Sequence, residues 1–367
     1  MSVVDTGGMH PTDTGHLTAT GTPGAAAPDV PDTGSLGVGT AEEDWTGDAE
    51  FHEYSRAADP VGSGLTSAVL VRSFPASLHE DGPTRIVPLD LSAELRVPYT
   101  ATSPGLLASF VVLRPGEMVA TAPDATSELY FCLQGSGRSV FTSERGADDQ
   151  STGTIPWGPG DVLVLPAGCT TVHTADDGVD VHTAGGGAGA DGAVLYRVTD
   201  APLLRYLGAR PHEPRFRPTH HPAATIRTHL DAALADPDAS TRSRIAVLLA
   251  NTAQRSSRTV THTLWAMYGV LPAGAEQRPH RHQSVALDLV VACAGGCYSL
   301  VGDELDAGGR IVDPIRVDWE PGGAFVTPPG RWHSHHNTSG RAAYFLPVQD
   351  AGLHTYLRSL DIRFGLR

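Results

Sequence analysis

Five histidines between Gly274 and Asn337 are the residues of this chain best placed to do chemistry. The first group reads Gly274-Ala-Glu-Gln-Arg-Pro-His280-Arg-His282, and the second reads Pro328-Pro-Gly330-Arg-Trp332-His333-Ser-His335-His336-Asn337. A neutral imidazole is a good ligand for a divalent transition metal. His280 and His282 are two apart, so on an extended chain both rings point to one face. If the strand opening at His333 lies beside them, the three rings form a three-nitrogen face that leaves the remaining metal positions open. An Fe(II) ion held this way can bind oxygen and a chelating substrate side by side, whereas Zn would activate water. The spacing does not choose among Fe(II), Zn, Ni, Mn and Cu.

The neighbouring residues extend the reading. His335 follows His333 by two and shares its face, where an imidazole that titrates near working pH suits proton transfer. His336 is expected to face away, Asn337 to brace the turn, Arg281 to point outward and Trp332 to wall the pocket. Asp288 lies six residues beyond His282. On regular pairing it joins the same face and presents a carboxylate that welcomes an amine, hydroxyl or guanidinium and repels a second carboxylate.

These side chains need rigid strands behind them. Val285 to Val291 and Gly322 to Thr327 read as two such strands, the second closed by the Pro328-Pro-Gly330 turn, and Arg258 to Val270 leads into the first histidines. Earlier in the chain, strand-like pieces recur at Ala68 to Val71, Thr84 to Val87, Leu106 to Leu113, Glu128 to Leu133, Arg138 to Thr142, Asp161 to Leu165 and Ala193 to Val198. Many short strands separated by Gly/Pro turns indicate an all-β barrel or sandwich.

The two histidine segments resemble the paired motifs of the cupin superfamily, G-x5-H-x-H-x3,4-E-x6-G and G-x5-P-x-G-x2-H-x3-N. Gly274, His280 and His282 meet the first, and Gly322, Pro328, Gly330, His333 and Asn337 meet the second. The glutamate of the first motif falls on Ala286 or Leu287, so the resemblance implies a three-histidine site. With the His-Arg-His run and Trp332-His333-Ser-His335, the chain is most similar to the bicupins that include gentisate, salicylate and 1-hydroxy-2-naphthoate dioxygenases. That resemblance implies Fe(II) as cofactor, ring cleavage of a small molecule with O2, and a role for His335 as an acid/base beside the ligands. Other readings are an oxygenase acting on a nitrogen-bearing substrate, a metal-dependent isomerase or hydrolase that leaves oxygen unconsumed, and a non-catalytic binding module.

A first barrel fits the same template with its ligands lost. Gly116, Ala122, Asp124, Glu128 and Gly135 keep the first spacing, and Gly160, Pro166, Gly168 and Thr171 keep the second. Asp124, Glu128 and His173 are the residues there that could hold a metal, although a structural role is expected. Asp200-Ala-Pro-Leu-Leu-Arg-Tyr206-Leu207 and Asp350-Ala-Gly-Leu-His-Thr-Tyr356-Leu357 form an internal repeat independent of those motifs. The expected fold is therefore an all-β bicupin, two small jelly-roll barrels joined by a short helical linker. Its parts are a disordered tail (1–44), an N-terminal arm with strands (45–105), a first cupin with a degenerate site (106–208), a linker with a helix at Ala223 to Ala235 (209–243) and a metal-binding second cupin (244–367). A flexible loop is expected from Gly185 to Gly192.

Composition narrows the classes. A length of 367 residues with 40% hydrophobic content allows two cores. A net charge of −15 argues against a polyanion partner, and no basic run interleaved with aromatics suggests nucleic acid. No segment approaches the roughly 20 apolar residues that cross a bilayer, and no signal peptide is evident, so a cytoplasmic protein is expected. Its expected partners are a small-molecule substrate, O2 and further copies of itself in a homo-oligomer, whose number the sequence does not give. Four cysteines are too few for a disulfide framework, and Cys293 and Cys297 read as reduced thiols flanking a hairpin turn.

Overall fold

The computed structural model describes residues 46–144, 150–177, 192–239 and 242–365. The tail expected at 1–44 and the glycine-rich loop at 185–191 lie outside the described residues. Residues 46–58 belong to a separate unit and carry the four-residue helix Tyr54–Ala57.

From Asp59 onward the chain forms two antiparallel barrels. The first has a six-stranded sheet in the order Thr219–His221, Val162–Pro166, Ser127–Gln134, Ala193–Thr199, Leu107–Leu113, Arg85–Pro88. A four-stranded sheet closes it, in the order Met118–Thr121, Cys169–Ala175, Gly137–Glu144, Gln150–Trp157. The second barrel repeats the plan, with the six-stranded order Arg72–Phe74, Ala324–Thr327, Ala286–Ala292, Ala343–Gln349, Trp265–Leu271, Ile245–Leu249. Its smaller sheet runs Ile315–Asp318, Cys297–Gly302, Trp332–Asn337, His280–Arg281, Arg363–Phe364. The segment before the first barrel thus lends a strand to the second barrel's sheet.

The two six-stranded sheets share one core, which explains why their strands read as unbroken apolar runs. In Leu107–Leu113, Ala108, Phe110 and Val112 join the core shared with the second barrel, while Val111 and Leu113 fill the interior of their own. In Ala286–Ala292, Leu287 and Leu289 enter the shared core and Val290 enters the second barrel's interior with Trp319, Phe325 and Phe345. Both faces of such a strand are buried, so apolar and polar residues do not alternate along it.

The sequence repeat is a structural one. Asp200 precedes the helix Ala201–Leu207 and accepts from the Ser127 amide at 3.1 Å; Asp350 precedes Ala351–Leu357 and accepts from the Val285 amide at 2.9 Å. Each aspartate therefore ties the end of a last barrel strand to the start of the strand beside it. The motif glycines match as well: Gly116 and Gly274 have φ of 71° and 68°, and Gly168 and Gly330 have 74° and 76°. Only glycine enters that left-handed region without a steric penalty, so the four turns demand it. The linker helix spans Ala223–Ala235 and packs Ile226 and Leu230 inward.

Candidate metal centre

His280 and His333 are directly paired across adjacent strands of the smaller sheet, and their ring centroids are 4.0 Å apart. His282 completes the group, 4.9 Å from the His333 ring. One ligand nitrogen from each of the three lies within 4.8 Å of the others, and all three residues are buried. The turn at Gly330 brings this about, since its amide donates to the His282 carbonyl at 2.7 Å.

Hydrogen bonds to carbonyls settle which nitrogen each ring offers. The Nδ1 atoms of His280, His282 and His333 lie 3.2, 2.8 and 3.1 Å from the carbonyl oxygens of Arg278, Ser284 and Arg331. A carbonyl only accepts, so each Nδ1 carries the proton and each Nε2 is left unprotonated, with a lone pair that can accept a hydrogen bond or bind a metal. The Nε2 of His282 is buried with no partner. Burial, then the His333 ring and Arg244, hold the His280 imidazole well below its usual range, and burial followed by His282 does the same to His333. Burial and Arg244 lower His282 to about 4. Three neutral imidazoles whose unprotonated Nε2 atoms lie in one group are a donor set that fits a divalent transition metal.

A cleft of about 240 Å³ opens onto His280 and His282, lined by Arg244, Trp265, Met267, Gln349, Ile362 and Phe364 among others. Arg244 is the charged group in it. Its Nη2 donates to His280 Nε2 at 2.5 Å and its Nη1 lies 3.3 Å from Met267 Sδ. Phe364, on the short C-terminal strand paired with His280, stacks on that ring at 5.9 Å. Sequence reasoning missed both residues. Arg244 stands at the head of an apolar strand at the edge of the linker, and Phe364 sits in a tail whose pairing partner lies more than eighty residues earlier.

Two expected substrate contacts, Asp288 and Trp332, do not line this cleft. Asp288 is 3% exposed, accepts from Thr327 Oγ1 at 2.7 Å and is absent from the cleft lining. Burial pushes its carboxyl up to about 6, offset partly by Thr327 and Arg244. Arg244 is the charged side chain that lines the cleft, and Asp288 lies near enough to feel it. Trp332 also lies off the cleft lining, because it alternates with His333, and its indole carries the Arg281 guanidinium at 5.0 Å. His336 points away from the ligands and stacks on Tyr298 at 4.7 Å. Asn337 donates to the carbonyls of Leu271, Pro272 and Arg341 and accepts from Ser339, so it holds the turn.

His335 sits beside the group, 6.0 Å from the His280 ring and 5.8 Å from His333. Its Nδ1 meets Ser299 Oγ at 2.7 Å, and the Trp319 indole donates to the same oxygen at 2.8 Å.

The first barrel holds no such group among its described residues. The structural counterpart of His280 is Thr121, not Ala122, since Thr121 pairs with Thr171 as His280 pairs with His333. The second barrel spends one more residue between its glycine and that position. Asp124 turns outward to Arg205 at 3.5 Å, while Glu128 is buried against Arg197 at 2.7 Å. The Asp124, Glu128 and His173 set is thus not assembled; the arginine occupies the interior instead.

No protein-family model and no curated protein sequence matches the chain. Solved structures do match in fold. Salicylate 1,2-dioxygenase from Pseudaminobacter salicylatoxidans superposes with a TM-score of 0.59 at 15% identity, over 81% of this chain and 88% of that one. Its gentisate adduct gives 0.61 at 14% identity over 86% and 90%. Procruciferin, an 11S globulin from Brassica napus, gives 0.52 at 13% identity over 81% and 86%. At these identities the likeness is one of fold, and a dioxygenase and an 11S globulin share it. The chain has the bicupin fold, two jelly-roll barrels packed through their six-stranded sheets, with a three-histidine group in the second.

Proposed function

We propose that the second barrel is the active site of a mononuclear non-haem Fe(II), O2-dependent oxygenase acting on a small aromatic or otherwise chelating substrate, with ring cleavage as its reaction. The observation that carries this reading is the convergence of three Nδ1-protonated, neutral imidazoles on one point beside an open cleft. His280, His282 and His333 would hold the metal, which when bound supplies adjacent open positions for oxygen and substrate.

The chain's own residues do the rest. Arg244 offers guanidinium donors to an anionic oxygen of the substrate, since its N–H groups already reach the ligand edge of His280. Phe364, Ile362 and Trp265 give apolar walls against which a ring can pack and water is excluded. His335 supplies a polar hydrogen next to the ligands. Salicylate and gentisate, named for the structural neighbour, are aromatic carboxylates, a class that suits an arginine beside a three-histidine group.

The test is oxygen uptake by protein loaded anaerobically with Fe(II), over hydroxy-aromatic carboxylates, their amino-substituted analogues and their carboxylate-free analogues. Substrate-dependent uptake with ring-opened product is expected. Product formation without uptake would replace this reading with a hydrolase or isomerase, for which a three-histidine zinc centre is equally suited.

A further inference from the structure

The two barrels contain the same hydrogen-bonded chain of tryptophan, serine and histidine. In the first barrel the Trp157 indole donates to Ser139 Oγ at 2.9 Å, and Ser139 Oγ meets His173 Nδ1 at 2.8 Å. His173 Nε2 then meets Thr121 Oγ1 at 3.3 Å, Thr121 Oγ1 meets Tyr130 Oη at 2.9 Å, and Tyr130 donates to Glu128 at 2.6 Å. The direction of this chain is determined from both ends. An indole N–H only donates, and a carboxylate held by Arg197 only accepts. Tyr130 spends its proton on Glu128, so it accepts from Thr121, which in turn accepts from His173 Nε2–H. Ser139 spends its single proton on His173 Nδ1.

In the second barrel Trp319, Ser299 and His335 repeat the first half, at the same register: Ser299 pairs with His335 as Ser139 pairs with His173. Ser299 is fully buried and its oxygen already accepts from Trp319. The His335 Nδ1 is then the acceptor left for its hydroxyl proton, because an unspent buried donor costs about 1–3 kcal/mol. The second half of the chain is missing. Asp288 stands where the first barrel has Tyr130 and Ala286 where it has Glu128, while His280 stands where it has Thr121. The His280 and His333 rings thus lie 6.0 and 5.8 Å from the His335 ring, with His280 at the position from which Thr121 offers His173 an accepting oxygen in the first barrel.

We propose that Trp319 and Ser299 fix His335 in its Nε2–H form, so that it donates a hydrogen bond to an oxygen of the molecule bound at the three-histidine group and does not serve as a fourth ligand. Trp319 and Ser299 are positioning residues in this scheme, acting through His335. The tautomer follows from the hydrogen bonds alone; that the accepting oxygen belongs to a substrate rests on the oxygenase reading.

The full-length chain labelled with 15N-histidine, metal-free and loaded with Zn, reports the protonated nitrogen of each ring by two-bond proton–nitrogen correlation at neutral pH. His335→Gln and His173→Gln assign the two signals by their loss. Both histidines are expected as Nε2–H, in contrast to Nδ1–H for His280, His282 and His333. Ser299→Ala is expected to release His335 into a mixture while His173 stays unchanged, and Ser299→Thr to restore the single form. Trp319→Phe frees an acceptor site on Ser299 and is expected to let an Nδ1–H form of His335 appear. In the iron-loaded enzyme Ser299→Ala is expected to lower kcat by about 10–100-fold with metal content unchanged. An Nδ1–H form of His335 in the wild type overturns the proposal, as does an unaltered tautomer in both Ser299→Ala and Trp319→Phe. Absence of oxygen uptake in the wild type would remove the oxygenase reading and leave the tautomer result standing.

Discussion

Replacing Arg244 with methionine tests which charge selects the substrate. Methionine keeps a long unbranched chain in the cleft but removes every guanidinium donor. A hydrogen bond to a charged group is worth about 1.5–3 kcal/mol, so kcat/KM for a carboxylate-bearing substrate should fall roughly 10- to 100-fold. A carboxylate-free analogue makes no such bond, and its kcat/KM should change little. The fold should tolerate the change. The nearby Asp288 carboxyl is already pushed up to about 6 by burial and is held down partly by Arg244. Losing the cation raises it further, which lowers the cost of leaving that carboxyl without Arg244. Arg244→Lys, which keeps the charge without the planar fork, should fall between. Initial-rate oxygen uptake on the three proteins, with thermal melting as a control, makes the comparison. Equal losses for carboxylate and carboxylate-free substrates would refute the reasoning, as would a wild type that prefers amines to carboxylates.

Further outcomes follow from the same geometry. His280→Ala, His282→Ala and His333→Ala should each abolish metal retention by elemental analysis, while His335→Ala should keep the metal and lose about 10²-fold in turnover. Iron-loaded wild type should hold close to one metal per chain, and a clean stoichiometry of two would mean that the first barrel is more than a scaffold. Burial lowers His173 from 6.5 to about 3, so the folded state holds it neutral while the unfolded chain takes up a proton first. Its contribution is whole above about 6.5 and is lost toward 3 at up to about 1.4 kcal/mol per pH unit, a slope that denaturant titrations should find reduced in His173→Gln. The second repeat helix ends on Arg358 at φ 60° where the first ends on Gly208 at 61°. Arg358→Gly should therefore raise stability by about 1 kcal/mol in chemical denaturation.

Much of this molecule was legible in one dimension because the information was local. His280 and His282 share a face by the two-residue period of a strand, Gly274 and Gly330 mark turns that demand a left-handed backbone, and Ala223–Ala235 carries helical spacing up to Asp236-Pro237. The Asp200 and Asp350 repeat announced two copies of one fold, since each copy needs the same tie between its last strand and the strand beside it. What stayed hidden depended on pairings far apart in the chain. Asp288 follows the strand period correctly, yet only the packed barrel shows that it is buried against Thr327 and that Arg244, from the head of another strand, holds the cleft. One extra residue in the turn before His280 moved its counterpart in the first barrel from Ala122 to Thr121, a shift that spacing alone does not show. The sequence by itself determined the two barrels and the three-histidine group, because strand period and turn chemistry are written residue by residue. The tertiary structure decided which charged side chain lines the cleft and which hydroxyl meets His335, because those depend on partners that only folding brings together.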